Sequence, residues 1–177
     1  MIGGENVKYK KQIPNMFTLF NLTLGILAIL SIFNEGYVLS ATLIIIAGMM
    51  DRMDGKLARK LDVVSEFGKE LDSLCDLISF GVAPALLMWH LNLMETGDIG
   101  IIVTLVFVLC GTVRLARYNI MEFEGVYMGI PITLCGGLVA VISLYSTRFG
   151  TNLYFMLVSM LFLSYAMVSK KIKLKKR

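Results

Sequence analysis

The chain carries two acidic stretches, which read Asp51-Arg52-Met53-Asp54-Gly55-Lys56-Leu57-Ala58-Arg59 and, eight residues later, Gly68-Lys69-Glu70-Leu71-Asp72-Ser73-Leu74-Cys75-Asp76. Two aspartates stand three residues apart in the first stretch, and two stand four apart in the second. Each pair is therefore expected on one face of a helix. Apolar segments beside both stretches indicate helices in a membrane, where a carboxylate is costly and usually serves a function with a cation as its partner.

The four aspartates predict a metal site. Carboxylate oxygens are the ligands that Mg²⁺, Mn²⁺ and Ca²⁺ prefer. Two such cations can clamp a pyrophosphate and offset the charge on its attacking and leaving oxygens. The competing interpretation is that these side chains are solvated at helix ends and that Asp-Gly marks an ordinary turn. The predicted ligands of two divalent cations are Asp51, Asp54, Asp72 and Asp76.

The first stretch also has features of a phosphate site. Gly55 has no side chain and leaves room for a ligand close to the backbone. Ala58 follows Asp54 by one helical turn and is also small. Arg59 offers a fork of donors that suits a phosphate. A phosphate-bearing ligand is therefore expected against this helix.

The composition predicts one all-α integral membrane domain over residues 1–177. Of the 177 residues, 56% are hydrophobic, and several apolar runs approach the roughly 20 residues that cross a bilayer. We predict six transmembrane helices, the second extending through 51–59 and the fourth reaching Arg114 and Arg117. A soluble helical protein is disfavoured, because so little polar surface remains. The apolar runs lie at about 16–33, 38–50, 71–92, 99–113, 128–147 and 152–169.

The basic residues predict the orientation. Six spans place both termini, the 51–70 loop and the 114–127 loop on one side of the membrane. That side holds sixteen of the seventeen Lys and Arg residues, and only Arg148 falls outside it. Short loops rich in Lys and Arg face the cytoplasm. Both termini and the aspartates are therefore expected at the cytoplasmic face.

The two ends of the chain are polar and basic. Residues 1–12 are expected to lie on the membrane surface as an interfacial helix, or to form a frayed terminus, with the first spanning helix beginning at Pro14. Residues 170–177 form a basic tail that can meet anionic lipid heads. No feature of the chain predicts a nucleic-acid partner.

Polar residues inside the apolar helices indicate further contacts. Asn15, Thr18 and Asn21 follow one another at three-residue steps and need a partner helix or a ligand. Gly81 and Pro84 are expected to kink or loosen the third helix. Cys75, Cys110 and Cys135 have no metal-binding spacing, and we expect them to be buried small hydrophobic residues.

Arg114 and Arg117 stand three apart at the end of the fourth helix. On one helical face they can bind a carboxylate or a lipid phosphate. The alternative is that they only anchor the helix at the cytoplasmic surface.

The acidic stretches together resemble the signature of the CDP-alcohol phosphatidyltransferase family. Their pattern is Asp-x-x-Asp-Gly-x-x-Ala-Arg, eight residues, and Gly-x-x-x-Asp-x-x-x-Asp, which matches at all eight fixed positions. Such a match arises by chance about once in 10⁹ to 10¹⁰ starting points. Three further segments resemble the branch of the family that uses serine: 75–84, 114–119 and, more weakly, 129–131.

This resemblance implies a membrane enzyme that transfers a phosphatidyl group from CDP-diacylglycerol, or an ether-lipid analogue, to L-serine, with release of CMP. It gives Asp76 the additional role of general base. It places the nucleotide against a set of residues comprising Asn21, Asp51, Asp54, Gly55, Ala58, Arg59 and Ser65. It suggests an acceptor site at Ser79, Arg114, Arg117 and Asn119. A plain helix N-cap is the alternative role for Ser65.

The resemblance also implies a homodimer among membrane lipids, and Gly111, Gly136 and Gly137 would permit close helix contact. Two other functions stay open. Within the family, the acceptor can be inositol phosphate or glycerol phosphate, whose phosphate suits Arg114 and Arg117. Outside it, a small metal or lipid transporter would need polar residues through the whole bilayer, and the outer halves of these helices are nearly all apolar.

Overall fold

The computed structural model describes the backbone of residues 3–60, 65–120, 126–150, 152–171 and 173–175, and the side chains of 13–53, 65–120, 129–150 and 152–171. These ranges contain six helices. In chain order they are α1 Gly3–Phe33, α2 Tyr37–Lys60, α3 Glu66–Thr96, α4 Asp98–Ile120, α5 Ile132–Phe149 and α6 Leu153–Val168.

Two short strands, β1 Val126–Met128 and β2 Lys173–Lys175, pair antiparallel outside the helices. The predicted all-α class is confirmed for the bundle, and these six residues add a small ribbon to it. Both segments lie beyond helix ends, where backbone groups have no helical partner, and pairing with each other satisfies them.

Within the part of the chain whose side chains are described, four helices are long and apolar enough to cross a membrane: α1 from Ile13, α3, α4 and α5. Helix α6 is equally apolar but has 16 residues. Large apolar side chains are exposed on every helix, among them Phe20, Leu109 and Phe162. A surface of this kind suits lipid and not water. The protein is therefore an integral membrane protein, and six spans with cytoplasmic termini stay a prediction.

Helix α1 begins earlier than predicted. It runs without a break from Gly3, so Pro14 lies inside the helix and not at its start. The prediction that the helix begins at Pro14 is wrong, because a proline removes only one intrahelical hydrogen bond and a long helix can continue past it. The backbone of residues 3–12 continues α1; that this part lies on the membrane surface stays a prediction.

Helix α3 lies between α1, α4 and α5 and is the most buried of the four long apolar helices. Immediately after Asp76 it changes to a π-helical turn, Leu77–Val82, in which the Ala83 N–H donates to the Ile78 carbonyl. Pro84 follows and lacks the N–H that would bond to Phe80. The predicted loosening at Gly81 and Pro84 therefore takes the form of a π-helical turn, a feature frequent at functional sites.

Glycines bring the helices into close contact within the chain. A Cβ on Gly136 of α5 would collide with the backbone of Phe80 in α3, and a Cβ on Gly111 of α4 would lie 2.7 Å from Ile132. Two of the three glycines suggested for close helix contact in a dimer, Gly111 and Gly136, thus pack inside the bundle. A Cβ on Gly137 would meet no other part of the described structure within 4 Å. The homodimer itself stays a prediction.

This packing gives a matched pair of substitutions. Gly136→Ala should destabilise the protein by about 1–3 kcal/mol, because the added methyl overpacks against the Phe80 backbone. Gly137→Ala should be neutral or slightly stabilising, since alanine is the better helix former and the site is open. Thermal unfolding in one detergent, followed by size-exclusion fluorescence, measures both. Equal melting temperatures for the two variants would contradict the close α3–α5 contact.

Candidate active site

The acidic stretches meet at one end of the bundle. Asp51 lies near the end of α2, and Asp72 and Asp76 occupy successive turns at the start of α3. One carboxylate oxygen from each of the three residues lies within 4.8 Å of the other two. Asp54 lies in a part of α2 whose side chains are outside the described residues. The structure therefore brings together three of the four predicted metal ligands.

The cluster needs compensating positive charge. Two ionised carboxylates at 4.8 Å repel by about 3 kcal/mol at an effective dielectric constant of ~20, and three such pairs are present. Asp76 is buried and Asp51 and Asp72 are half-buried, so water screens the repulsion only in part. This donor set fits a hard divalent cation, because oxygen ligands converge from two helices.

Helix α1 supports Asp76. Asn21 is fully buried, and its Nδ2 donates to Asp76 Oδ1 at 3.4 Å. The Asn21 carbonyl accepts a hydrogen bond from Ser79 Oγ at 3.2 Å, and Ser79 packs on Gly25 so closely that a Cβ would not fit. Asn21 thus contacts the aspartate cluster on α3, which agrees with the prediction that this residue needs a partner helix or a ligand. The Ser79 hydroxyl is engaged by α1, while its predicted contact with the acceptor stays a prediction.

A residue of α5 completes the cluster. The Thr133 hydroxyl donates a hydrogen bond to the Asp51 carboxylate, and the Asp76 carboxylate lies beside it. The sequence did not predict a role for Thr133, although the segment Gly129-Ile130-Pro131 just before it resembles the serine-using branch of the family. A threonine in the first turn of an apolar helix carries no distinctive signal, because its hydroxyl commonly bonds to its own helix.

A cavity of about 270 Å³ opens beside the aspartates. Asp72 and Asp76 of α3 line it together with Arg114 of α4. The other lining residues are Lys69, Ser73, Leu115, Tyr118, Pro131 and Thr133. The cavity is large enough for a small polar molecule and combines carboxylates with cations.

Arg114 is the cation best placed to bind a ligand there. It is half-buried and within electrostatic range of Asp76. Its Nε is buried and has no hydrogen-bond partner among the described residues. A buried donor left without a partner is costly, so a ligand with an anionic oxygen would be favourable at this position.

Asn119 joins α4 to α3 at the edge of the cavity. Its Nδ2 donates to Glu70 Oε1 and to Ser73 Oγ, both at 3.1 Å. Lys69 Nζ donates to the Asn119 carbonyl at 3.1 Å and lies 5.6 Å from the centre of the Tyr118 ring. These bonds give Asn119 a role in holding two helices together. Its predicted acceptor contact stays a prediction.

Arg117 is not among the residues that line the cavity. Its Nη1 donates at 3.0 Å to the carbonyl of Val168, the last residue of α6. Arg114 therefore lines the cavity while Arg117 contacts the end of α6, although the two residues lie one helical turn apart. The direct acceptor contact predicted for Arg117 stays a prediction.

The predicted nucleotide residues are described in part. Ser65 is the N-cap of α3, and its Oγ accepts from the Gly68 N–H at 3.1 Å, which confirms the capping interpretation. Its phosphate contact stays a prediction. The side chains of Asp54, Ala58 and Arg59, and the surroundings of Gly55, lie outside the described residues.

The opposite end of the bundle holds other polar contacts. The Tyr37 hydroxyl lies 3.1 Å from Nδ1 of His90, the single histidine, and Asn92 Nδ2 donates to Ser146 Oγ at 2.9 Å. These pairs join α2 to α3 and α3 to α5 at the ends of these helices that lie away from the aspartates.

Cys75 and Cys135 are buried and Cys110 is half-buried, and no disulfide joins them.

Comparison with known proteins identifies the family. The family model described as CDP-alcohol phosphatidyltransferase matches residues 11–169. The chain belongs to this family. The match covers every described residue of the carboxylate cluster, and it confirms the resemblance that the aspartate spacing indicated.

Several curated members of the family are similar to the chain. The CDP-diacylglycerol–serine O-phosphatidyltransferase of Bacillus subtilis is 39% identical over 160 residues, which are 89% of this chain and 87% of that protein. The protein of the same name from Methanocaldococcus jannaschii is 42% identical over 120 residues, 68% of this chain and 54% of that protein. The archaetidylserine synthase of Methanothermobacter thermautotrophicus is 34% identical over 156 residues, 86% of this chain and 66% of that protein.

Proposed function

We propose that the protein transfers a phosphatidyl group from a CDP-linked lipid to the hydroxyl group of L-serine, which gives phosphatidylserine, or its ether-lipid analogue, and CMP. The observation that carries this proposal is the convergence of Asp51, Asp72 and Asp76 beside a cavity that Arg114 lines. Family membership supports the CDP-linked donor, and the names of the similar proteins support serine as the acceptor.

Asp51, Asp54, Asp72 and Asp76 would hold two divalent cations, Mg²⁺ or Mn²⁺. When bound, such ions supply positive charge that stabilises the pyrophosphate and the departing CMP. Asn21 and Thr133 orient the carboxylates through hydrogen bonds to Asp76 and Asp51. Such supporting partners commonly change metal affinity by about 10–100-fold.

Asp76 acts as the general base. Its carboxylate takes the proton of the serine hydroxyl while the serine oxygen forms a bond to the phosphorus that carries the lipid. The bond from that phosphorus to the bridging oxygen breaks, and CMP leaves with the electron pair. Asp76 suits this role because it is buried beside the cavity, whereas Asp72 is more exposed. Direct transfer predicts no exchange of labelled CMP into CDP-lipid without serine.

Arg114 binds the serine carboxylate, and the nucleotide lies against the Gly55–Arg59 part of α2 and Ser65. The lipid chains lie among the apolar helix surfaces that face the bilayer. The site faces the cytoplasm, which the distribution of Lys and Arg supports.

One assay tests the proposal. Purified protein receives CDP-diacylglycerol or its ether analogue with Mn²⁺ or Mg²⁺, and CMP release is measured with serine, inositol phosphate, glycerol phosphate or no acceptor. We expect serine-dependent release that a chelator abolishes and added metal restores. Release that depends on a phosphorylated polyol would keep the donor and overturn the serine assignment. No release with any acceptor or lipid would overturn the transferase proposal.

A further inference from the structure

The end of α4 and the segment that leads into α5 are attached to the end of α6 by three contacts among the described residues. Arg117 donates to the Val168 carbonyl at 3.0 Å, and the Ile130 N–H donates to the Ala166 carbonyl at 3.1 Å. Gly129 lies so close to the Met167 carbonyl that a Cβ there would collide with it. We call these contacts of Arg117, Gly129 and Ile130 with residues 166–168 the C-terminal joint.

Local geometry makes the C-terminal joint sensitive to sequence. Gly129 has a φ of 76°, in the left-handed region that favours glycine, and its lack of a side chain also permits the close approach. Strand β1 directly precedes it, and β1 pairs with β2 so that Val126 lies opposite Lys175 and Met128 opposite Lys173. The segment that enters α5 is thus held from both sides of Gly129.

The same segment carries residues of the active site. Pro131 and Thr133 line the cavity, and Thr133 forms a hydrogen bond with Asp51. Pro131 stands two positions and Thr133 four positions after Gly129, so a shift of the C-terminal joint moves both.

We propose that the C-terminal joint is a positioning element of the active site, with Arg117 as its positioning residue. The joint holds the end of α6 against the segment 129–131, and this contact keeps Thr133 in place against Asp51. This inference rests on the proposed function for its consequence in catalysis. Arg117 then affects metal binding without touching the metal or the acceptor.

Mn²⁺ binding without serine tests this role. In the purified protein, titrated with Mn²⁺ and followed by electron paramagnetic resonance, Arg117→Gln should weaken binding about tenfold, as loss of a partner that orients a metal ligand does. Gly129→Ala should have a similar effect, and Thr133→Val combined with Arg117→Gln should be no worse than either alone. Unchanged Mn²⁺ affinity in Arg117→Gln would overturn the proposal.

A disulfide provides a rescue experiment. Val126 in β1 and Lys175 in β2 are directly paired. When Val126→Cys and Lys175→Cys are added to Arg117→Gln, oxidation should join the two cysteines in a disulfide and restore Mn²⁺ affinity. Val126→Cys with Lys173→Cys places the two cysteines two residues out of register, so this pair should not form the disulfide and should not restore Mn²⁺ affinity. Oxidised Arg117→Gln alone controls for the three native thiols. Failure of the matched disulfide to restore binding would overturn the proposal.

The outcome separates the inference from the proposed function. A parent protein that releases no CMP with serine refutes the proposed function, while the Mn²⁺ titration still reports on the C-terminal joint. An active parent whose Arg117→Gln variant binds Mn²⁺ normally but has a raised KM for serine shows that Arg117 contacts the acceptor directly, which overturns the positioning role.

Discussion

Asp76→Asn is expected to lower serine-dependent CMP release by roughly 10²–10⁴-fold, because an amide cannot take the proton of the serine hydroxyl. Binding of the CDP-lipid should fall much less than turnover, since the asparagine side chain keeps the shape of the aspartate, its position next to Asn21 and one oxygen that can still bind a metal ion. Single-turnover CMP release measures the chemical step, and titration with a non-reactive CDP-lipid analogue measures binding.

Two other substitutions frame this result. Asp98→Asn changes an exposed carboxylate at the start of α4 and should leave activity unchanged. Asp51→Asn should instead weaken metal and nucleotide binding, because this residue is placed as a ligand and not as the base. Wild-type turnover in Asp76→Asn would refute the general-base assignment, and wild-type turnover in Asp51→Asn would refute its assignment as a ligand.

Arg114→Gln is expected to raise the KM for serine by about 10–150-fold, which corresponds to the loss of one hydrogen bond to a charged group, about 1.5–3 kcal/mol. The KM for the CDP-lipid should stay near its original value, because the proposal assigns Arg114 to the serine carboxylate and the nucleotide to α2 and Ser65. Steady-state kinetics with each substrate varied in turn separates the two effects.

Arg114→Lys and Arg148→Gln are the matched variants for this prediction. Lysine keeps the charge but not the planar fork of donors, so it should recover only part of the serine affinity. Arg148 is the one basic residue that is predicted to lie outside the cytoplasmic side of the membrane. It is exposed near the end of α5 and should tolerate substitution. A rise in the KM for CDP-lipid and none for serine would assign Arg114 to a lipid phosphate instead.

Local spacing predicted the parts of the site that a single helix can arrange. Asp72 and Asp76 are one turn apart in any α-helix, so their shared face followed from the sequence. The Ser65 cap and the disturbance of α3 near Pro84 also follow from chemistry that involves only near neighbours. The membrane setting followed from the length and hydropathy of the apolar runs.

Contacts between distant segments were not predictable in this way. Nothing in the spacing shows that Thr133 meets Asp51, or that Arg114 and Arg117 turn to different partners. The pairing of β1 with β2 was likewise missed, because three residues of strand carry too weak a pattern to distinguish from a loop or a charged tail.

The family, the membrane setting and the aspartates of the cluster follow from the order of the residues, because these features depend on residue type and short spacing. Three features become visible only in the folded chain: which of those aspartates meet, which cation lines their cavity, and which residues hold the cluster in place. Such contacts depend on how whole helices pack. Gly25, Gly111 and Gly136 set that packing by close approach, and the partners they meet lie 21 to 56 residues away in the chain.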